Sequence, residues 1–277
     1  FINKVKIIAL LSLISILMVG CNKKAEEKTN EKSLESITIS GSTSVGPTME
    51  ILAEDYQKAN KGTTIEVQQV GSSAGITNTI DGTSQIGMSS RDLKDEEKSE
   101  LKEYQIAIDG IAVITNSANK VKDLTLDQVK DIYTGKITNW KEVGGNDADI
   151  VVVSREDGSG TRDGFQEIVG FESGDLTSNA QISDGSGNIK TTVQGNENAI
   201  GYISFGYLDD SINAVKIGGV EPKEENVYND KYPISRPFLL VTKGEASGDA
   251  KSFIDYVLSD AGQKTIEKQG FMSVNQK

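Results

Sequence analysis

The chain has 277 residues, of which 36% are hydrophobic and 25% charged, so it can bury a core and is not disordered throughout. Its 29 Lys and Arg and 41 Asp and Glu give a net charge of -12, which argues against nucleic-acid binding because that function needs a basic face. With no histidine and one cysteine, the sequence excludes a histidine-based catalytic triad, an intrachain disulfide and a zinc site built on cysteine or imidazole.

The first residues have the pattern of a bacterial export signal. Two lysines precede an apolar run at residues 7–19, which is shorter than the roughly 20 residues needed to span a bilayer. The segment LMVGC at residues 17–21 resembles a lipobox, the motif whose cysteine is acylated. We therefore predict a signal peptide over residues 1–20 and a palmitoylated Cys21 that anchors the exported protein to the outer face of the bacterial cell membrane. The alternative is a buried N-terminal core helix.

A flexible tether is predicted to come next, so that the lipidated cysteine and the tether together occupy residues 21–36. Residues 22–36 contain one large apolar side chain, Leu34, among mixed charges. Such a segment cannot bury enough surface to offset the entropy lost on folding. Random-coil scaling gives it a reach of roughly 20 Å or more, which would hold the rest of the chain off the membrane.

From residue 37 onward the sequence alternates between short strands and helices. Apolar alternation and apolar runs predict strands at residues 37–39, 64–70, 85–88, 111–115, 149–153, 199–204 and 237–242. Helical periodicity, with a proline in one first turn and a glycine at one end, predicts helices at residues 47–59, 76–80, 126–133, 165–169 and 253–258. This alternation indicates an α/β fold with mainly parallel sheets.

Four of the predicted strands run into loops of Ser, Thr and Gly that precede helices, at residues 40–44, 71–75, 89–91 and 154–161. Ligands of open α/β sheets bind beyond the carboxyl ends of the strands, where helix N-termini present free backbone N–H groups. Hydroxyl groups add neutral donors, and Arg adds a fork that fits phosphate-like oxygens. If the loops converge, they would surround a small tetrahedral oxyanion. Each loop alone could be an ordinary helix N-cap, and none has the pattern of a nucleotide-binding loop.

These loops resemble those of the phosphate-binding proteins of bacterial ABC importers. The resemblance rests on four segments in the family's order and spacing: SGSTSVGP at residues 40–47, GSSAG at 71–75, IGMSSR at 86–91 and REDGSGT at 155–161. It extends from about residue 37 to the end of the chain, and its most specific element is DGSGT.

The resemblance implies a type II periplasmic-binding-protein fold. In that fold each of two lobes is a mainly parallel sheet flanked by helices, two crossing strands join the lobes, and the ligand lies in the cleft between them. Lobe one would comprise residues 37–114 and 228–277, and lobe two residues 115–227. The lobes would close around the ligand by a hinge motion, and the permease would recognise the closed form.

The resemblance also implies the ligand set. The phosphate would be bound by Thr43, Ser44, Ser72, Ser90, Arg155, Ser159, Gly160 and Thr161. Asp157 would steady the guanidinium of Arg155, and Ser42 and Arg91 would have supporting positions. Arg91 is either a second cationic ligand or a solvated surface residue. No catalytic residue, metal or cofactor is implied.

Ser90 departs from the best-known family pattern. An aspartate at this position in those members accepts the proton of the bound phosphate, which sulfate does not have. Selectivity for phosphate over sulfate must then come from another acceptor, or be weaker.

The function implied is that of a receptor and not an enzyme. It would deliver inorganic phosphate to the permease and ATPase subunits of an ABC importer, act as a monomer, contact the membrane through its lipid alone and bind no nucleic acid. Three alternatives stay open: a receptor for sulfate, molybdate or phosphonate, a hydrolase with a Ser nucleophile and a Lys base, and an adhesin or sensor that uses the lobes as a protein-interaction surface. No lysine lies within any of the four loops, which disfavours the hydrolase.

Overall fold

The structure is a computed structural model that describes residues 35–276. The predicted signal peptide, Cys21 and the predicted tether as far as residue 34 lie outside the described residues. Residues 35–36, which the sequence analysis places in the tether, already pair with residues 63–64 at the start of a strand. In the part that the structure describes, no helix combines the length and the apolar character needed to cross a membrane.

Strands and helices alternate along the described residues. The strands are β1 (Glu35–Gly41), β2 (Thr63–Gln69), β3 (Ile86–Ser89), β4 (Leu101–Asn116), β5 (Asp123–Leu124), β6 (Val151–Arg155), β7 (Gln181–Ser183), β8 (Ala199–Ser204), β9 (Ile212–Ala214), β10 (Lys216–Ile217), β11 (Ser235–Lys243) and β12 (Met272–Ser273). The α-helices are α1 (Gly46–Ala59), α2 (Ser72–Ile80), α3 (Asp95–Lys98), α4 (Leu126–Tyr133), α5 (Gly160–Val169), α6 (Gly185–Gln194), α7 (Glu224–Tyr228), α8 (Gly248–Leu258) and α9 (Asp260–Lys268). Short 3-10 turns cover Trp140–Val143, Ser173–Asp175, Phe205–Tyr207 and Val274–Gln276.

Most strands form one mixed sheet with the order β2-β1-β3-β11-β4-β8-β6-β7. The strands are parallel at both edges of this sheet: β1 pairs in parallel with β2 and β3, and β6 pairs in parallel with β7 and β8. Its middle is antiparallel, because β11 and β4 run against each other and against their outer neighbours. β9 and β12 also pair with β4, and β5 pairs with β10 in a separate small sheet.

The hydrophobic core of the described residues has two large clusters and a small third one around Ile76 and Leu239, and β4 contributes to all three. The first cluster contains Ile106 and Ala107 of β4 and Phe238 of β11, and the second begins at Ile111 of β4. We call the parts built on these clusters the first and the second lobe. β4 pairs with β11 over its first ten residues and with β8 beyond them, so one continuous strand crosses from lobe to lobe. The predicted lobe boundaries at residues 114 and 228 remain predictions.

The predicted α/β fold is confirmed, and its strand ends place the loops of interest. β1 runs parallel to β2 and β3, and β6 runs parallel to β7 and β8. α1 follows β1, α2 follows β2 and α5 follows β6, so each of these helices starts beyond the carboxyl end of a parallel strand. α5 buries Phe165 and Val169 on one face and ends at Gly170, whose φ of 85° favours glycine. The helix N-termini are therefore held by packed cores behind them.

Candidate anion-binding site

The four predicted loops meet between the two lobes. The hydroxyl oxygens of Ser44, from the first loop, and Thr161, from the fourth, are hydrogen-bonded at 2.9 Å. Those of Ser72 and Ser90, from the second and third loops, are hydrogen-bonded at 3.2 Å. Gly160 packs closely against both serines: a Cβ added to it would lie 2.3 Å from the Ser72 hydroxyl oxygen and 2.7 Å from that of Ser90. We call these five residues, all buried, the hydroxyl cluster.

The N-terminus of α5 forms one wall of the cluster. Ser159 is the N-cap residue, and its hydroxyl accepts from the backbone N–H of Arg162 at 3.3 Å. Gly160 and Thr161 are the first residues of the helix, so their backbone N–H groups have no acceptor within it. The positive end of the helix dipole also lies here, and this combination favours an anion.

The first and second loops form the opposite wall. The Ser42 hydroxyl accepts from the backbone N–H of Ser44 at 3.1 Å and so shapes the turn before α1. Gly71 precedes α2 with a φ of 90°, and a Cβ there would lie 3.2 Å from the carbonyl oxygen of Gly158 in the second lobe. The backbone N–H of Ser73 donates to that same oxygen at 3.2 Å. Small residues therefore let the two lobes approach backbone to backbone.

Arg155 lies at the end of β6 with its side chain only 1% exposed. Its Nη2 donates to the Thr43 hydroxyl at 2.9 Å, which links the second lobe to the first. Its Nε and Nη2 donate to the two carboxylate oxygens of Glu156 at 2.7 Å each. Its Nη1 is buried and has no hydrogen-bond partner among the described residues. A buried guanidinium with a donor to spare is what an anion site requires, because an unsatisfied buried donor is costly.

Glu156, and not Asp157, holds the guanidinium of Arg155, which corrects the role predicted for Asp157. Burial is the largest influence on the pKa of Glu156 and acts to raise it, but the hydrogen bonds and charge of Arg155 together with backbone N–H donors outweigh burial and lower the pKa below the ordinary range. The Asp157 side chain is 91% exposed and lies 2.7 Å from Nη1 of Arg162. Glu156 directly follows β6 and stays beside Arg155, whereas Asp157 lies one residue further on, in the turn before Gly158, whose φ is 79°.

Arg91 is neither of the two things predicted for it. Its side chain is 4% exposed, so it is not a solvated surface residue. Its guanidinium donates to both carboxylate oxygens of Glu97, to the carbonyl of Asp92 and to Asp163, so it is committed to protein partners and not to a ligand. The reason is that Asp163 on α5 and Glu97 on α3 both face it.

Arg236 on β11 is a further buried guanidinium, and it is not among the site residues predicted from the sequence. Its Nε and Nη2 donate to Asp109 on β4 at 3.1 and 2.8 Å. Its Nη1 donates to the carbonyl of Ser90 at 2.9 Å, and its Nη2 lies 3.4 Å from the Ser44 hydroxyl oxygen. Asp109 also accepts from the Ser204 hydroxyl at 3.0 Å. The floor of the hydroxyl cluster is therefore an ion pair between the neighbouring strands β4 and β11.

Burial dominates the electrostatics of this floor pair. It raises the pKa of Asp109, against the opposing charge and hydrogen bonds of Arg236, and it lowers the pKa of Arg236. Asp109 accepts four hydrogen bonds, so its oxygens are fully used by donors of the protein. One sequence signal could have revealed the pair: each residue is a charge in or beside an apolar strand, and buried charges in strands need a partner.

The assembled site binds through donors. It offers hydroxyls, helix N–H groups and two guanidiniums, each of which is paired with a carboxylate. Among the described residues, no group of three or more acidic or cysteine side chains could hold a metal ion. None of the described hydrogen bonds of the cluster hydroxyls involves a lysine, so the Ser–Lys pair that a hydrolase would need is not formed there.

Comparison with known proteins gives the same family from three directions. A family model for the PBP superfamily domain matches residues 26–261. The phosphate-binding protein PstS of Bacillus subtilis (strain 168) is 36% identical over 98% of this chain and 94% of its own length. The phosphate-binding protein PstS of Borreliella burgdorferi is 29% identical over 97% of this chain and 99% of its own length.

Solved structures have the same architecture. A phosphate-bound crystal structure of an ABC transporter substrate-binding protein from Clostridium perfringens has 64% identity and a TM-score of 0.84, and covers 87% of this chain and 100% of its own. An ABC-type phosphate transport receptor from Vibrio cholerae has 39% identity and a TM-score of 0.77, and covers 86% of this chain and 100% of its own.

Proposed function

The chain belongs to the periplasmic-binding-protein (PBP) superfamily, and from this premise we propose that it is a receptor for inorganic phosphate that serves an ABC-type importer. The observation that carries the proposal is the unpartnered Nη1 of buried Arg155, beside the hydroxyl cluster and the N-terminus of α5. The relatives are named phosphate-binding proteins, and the two solved structures are named as a substrate-binding protein of an ABC transporter and a phosphate transport receptor, which supports a binding role and not a catalytic one.

Phosphate would be held by donors from both lobes. We assign the contacts to the hydroxyls and backbone N–H groups of the cluster, with Arg155 and the hydroxyl of Thr43 at its side. Each charge-assisted hydrogen bond contributes about 1.5–3 kcal/mol, so several of them can reach micromolar affinity, about -8 kcal/mol, after the cost of ordering the lobes. The set is complete only when the lobes are closed, because Ser44 and Thr161 belong to different lobes.

Export and anchoring complete the proposal. The protein would be carried outside the cell, held to the outer face of the membrane by lipid on Cys21, and would act as a monomer that delivers phosphate to permease and ATPase subunits. The lipobox at residues 17–21 and the matches to PstS proteins support this location.

A receptor for another tetrahedral oxyanion, such as sulfate, molybdate or phosphonate, is the second candidate. Ser90 favours it, because a serine does not repel an anion that lacks a proton as a carboxylate would. The nearby carboxylate of Asp109 is saturated by four protein donors, so it is not free to accept a ligand proton. Selectivity would then depend on the serine and threonine oxygens, which can accept as well as donate.

Calorimetric titration separates the two candidates. The chain from residue 22 onward, refolded from denaturant to strip bound anion, would be titrated with phosphate and then with sulfate at pH 5 and pH 8. We expect saturable one-to-one binding of phosphate that sulfate does not displace. Equal competition by sulfate would instead establish a general oxyanion receptor, and no binding of either anion would refute both candidates.

A further inference from the structure

One ion pair joins the two lobes outside the hydroxyl cluster. Arg91 follows β3 in the first lobe, and its Nε donates to Oδ2 of Asp163 in the second lobe at 3.0 Å. Neither side chain hydrogen-bonds to Ser44, Ser72, Ser90 or Thr161 among the described residues. The pair therefore lies beside the anion site without being part of it.

The first-lobe half of this pair is fixed in place. Both carboxylate oxygens of Glu97 accept from the Arg91 guanidinium, from Nη1 at 2.7 Å and from Nη2 at 2.8 Å. The Asp92 carbonyl also accepts from Nη1, at 2.8 Å. Glu97 is itself held, because its Oε2 accepts from the backbone N–H of Lys94 at 2.8 Å. Burial acts to lower the pKa of Arg91, but its bonds with Glu97 and Asp163 outweigh burial and raise it. Arg91 is thus a rigid cation that presents Nε to the other lobe.

Asp163, the second-lobe residue of the ion pair, lies on α5, the helix that begins at the hydroxyl cluster. Asp163 is in the first turn of α5, two residues beyond Thr161. On the first-lobe side, Nη2 of Arg91 lies 3.4 Å from the Ser73 hydroxyl, next to Ser72 at the start of α2. The ion pair thus connects the N-terminal turns of the two helices, α2 and α5, that face each other across the cluster.

We propose that Arg91 and Asp163 are positioning residues that hold the start of α5 against the serine loops of the first lobe and thereby slow release of the bound anion. This inference rests on the proposed receptor function. When the lobes separate, Arg91 keeps Glu97 but loses Asp163, so the ion pair adds its free energy to the closed state alone. An interaction made only in one conformation shifts the population toward it and acts mainly on the dissociation rate.

Solvent sets the size of the effect. A cavity of about 590 Å³ opens beside the pair and is lined by Arg91, Asp163 and Glu172 among others, and the Asp163 side chain is 29% exposed. Water therefore screens one side of the pair, so its contribution is moderate and decreases with added salt. Loss of a partly buried pair of this kind corresponds to a roughly tenfold change in affinity.

The test is the dissociation rate of phosphate from Asp163→Asn in the chain from residue 22 onward. This substitution keeps the shape of the side chain and leaves Arg91 paired with Glu97, so we expect the variant to fold as wild type does. We expect phosphate to dissociate about tenfold faster, with the association rate within about twofold of wild type. Asp163→Glu should restore part of the slow release.

A matched control lies on the same helix. Glu167 is one turn beyond Asp163 and lines the same cavity, and it forms no ion pair among those described. Glu167→Gln removes the same charge and should release phosphate at the wild-type rate. Without ligand, Asp163→Asn should melt within about 2 °C of wild type, and only its stabilisation by phosphate should be smaller.

The outcomes separate this inference from the proposed function. If wild type binds phosphate and Asp163→Asn releases it at the wild-type rate, the positioning role is refuted and the receptor function stands. Equal acceleration in Glu167→Gln would also refute it, because the effect would then follow net charge. If the wild-type chain does not bind phosphate at all, the receptor function fails and this inference falls with it.

Discussion

At the scale of single residues, the site depends on how each guanidinium is paired. Arg155, Arg91 and Arg236 are all buried, and each is held by a carboxylate through two donors. The three arginines differ in whether a guanidinium donor remains without a partner. Arg155 keeps a buried donor without a partner, whereas the donors of Arg91 are committed to protein acceptors. We propose that this spare donor, and not the charge alone, suits Arg155 to bind the anion. The buried Nε of Arg162 also lacks a partner, but the Nη1 of that residue is held by Asp157 and by the carbonyl of Arg155.

Arg155→Lys tests this distinction. Lysine keeps the positive charge beside Glu156 but lacks the planar fork, so it cannot bond Glu156, Thr43 and an anion together. We expect phosphate affinity to fall by about a hundredfold, the equivalent of one to two charge-assisted hydrogen bonds, with little change in melting temperature. Calorimetric titration measures the affinity.

Asp157→Asn is the matched control for that variant. Asp157 is exposed and pairs with Arg162, so its loss should leave phosphate affinity within about twofold of wild type. A loss as large as that of Arg155→Lys would mean that Asp157, and not Glu156, supports the bound arginine.

At the scale of elements, we expect binding to depend most on α5. Its N-terminal residues contribute to the hydroxyl cluster, and its first turn carries the ion pair to Arg91. Its apolar face is fixed to the second core by Phe165, whose ring stacks on Tyr202 with centroids 4.0 Å apart. The Tyr202 hydroxyl accepts from the backbone N–H of Arg155 at 3.1 Å. One helix thus connects the core to the anion site.

Gly160→Ala tests the close approach of α5 to the first lobe. The added Cβ would lie 2.3 Å from the Ser72 hydroxyl oxygen and 2.9 Å from its Cβ, so the lobes could not close fully. We expect phosphate affinity to fall by about a hundredfold or more, while the unliganded protein keeps its stability because alanine favours the helix. Titration and thermal melting without ligand check the two parts.

Gly164→Ala provides the control one turn later. The nearest atom to a Cβ at this position is Cδ of Arg236 at 3.6 Å, which is ordinary contact, so binding should stay close to that of wild type. Equal loss of affinity in both variants would indicate damage to α5 as a whole and would argue against a steric block at Gly160.

The sequence predicts the elements of this fold unevenly, for physical reasons. Apolar runs at β6 and β8 and the Ser-Thr-Gly loops are local signals, so both the strands and the four loops could be found. The first half of β4 is polar and alternating, and its pairing with β11 depends on residues more than a hundred positions away. For the same reason Asp109 and Arg236, which meet only through that pairing, could not be assigned to the site.

The exchange between Asp157 and Glu156 has a different cause. The two carboxylates follow Arg155 at the next two positions, and composition cannot tell which one faces it. Asp157 lies in the turn before Gly158, where its side chain is exposed and pairs with Arg162. The partner of Arg155 therefore depends on the backbone path of this loop, which sequence proximity does not reveal.

At the scale of the whole molecule, the net charge of the protein is negative, although its proposed ligand is an anion. The net charge is -12, and the sequence pI is about 4.7. At physiological ionic strength charges are screened beyond about 8 Å, so distant carboxylates have little effect once the anion is bound. They do act on the approaching anion, which has to cross the field of the whole surface.

Salt should therefore speed the capture of phosphate. Raising ionic strength from about 0.01 M to 0.15 M shortens the screening length from about 30 to 8 Å, which weakens the repulsion. We expect the association rate measured by stopped flow to rise several-fold over this range. The control is a change of salt identity at constant ionic strength, which should leave the rate unchanged. A falling rate would show that the local field of Arg155 and Arg236 governs capture.

The passage of β4 through both lobes has a consequence for how the chain assembles. The second core comes almost entirely from residues 111–234, with Met272 as the one later member, but the first needs β11, which begins at Ser235, to cover the open edge of β3. A chain emerging from its N-terminus has thus produced nearly all of its length before its earliest strands can be enclosed. Long-range pairing of this kind folds slowly and leaves an unpaired edge exposed meanwhile. The strands that are synthesised first are consequently among the last to be fully paired, and a late C-terminal segment completes the lobe that contains them.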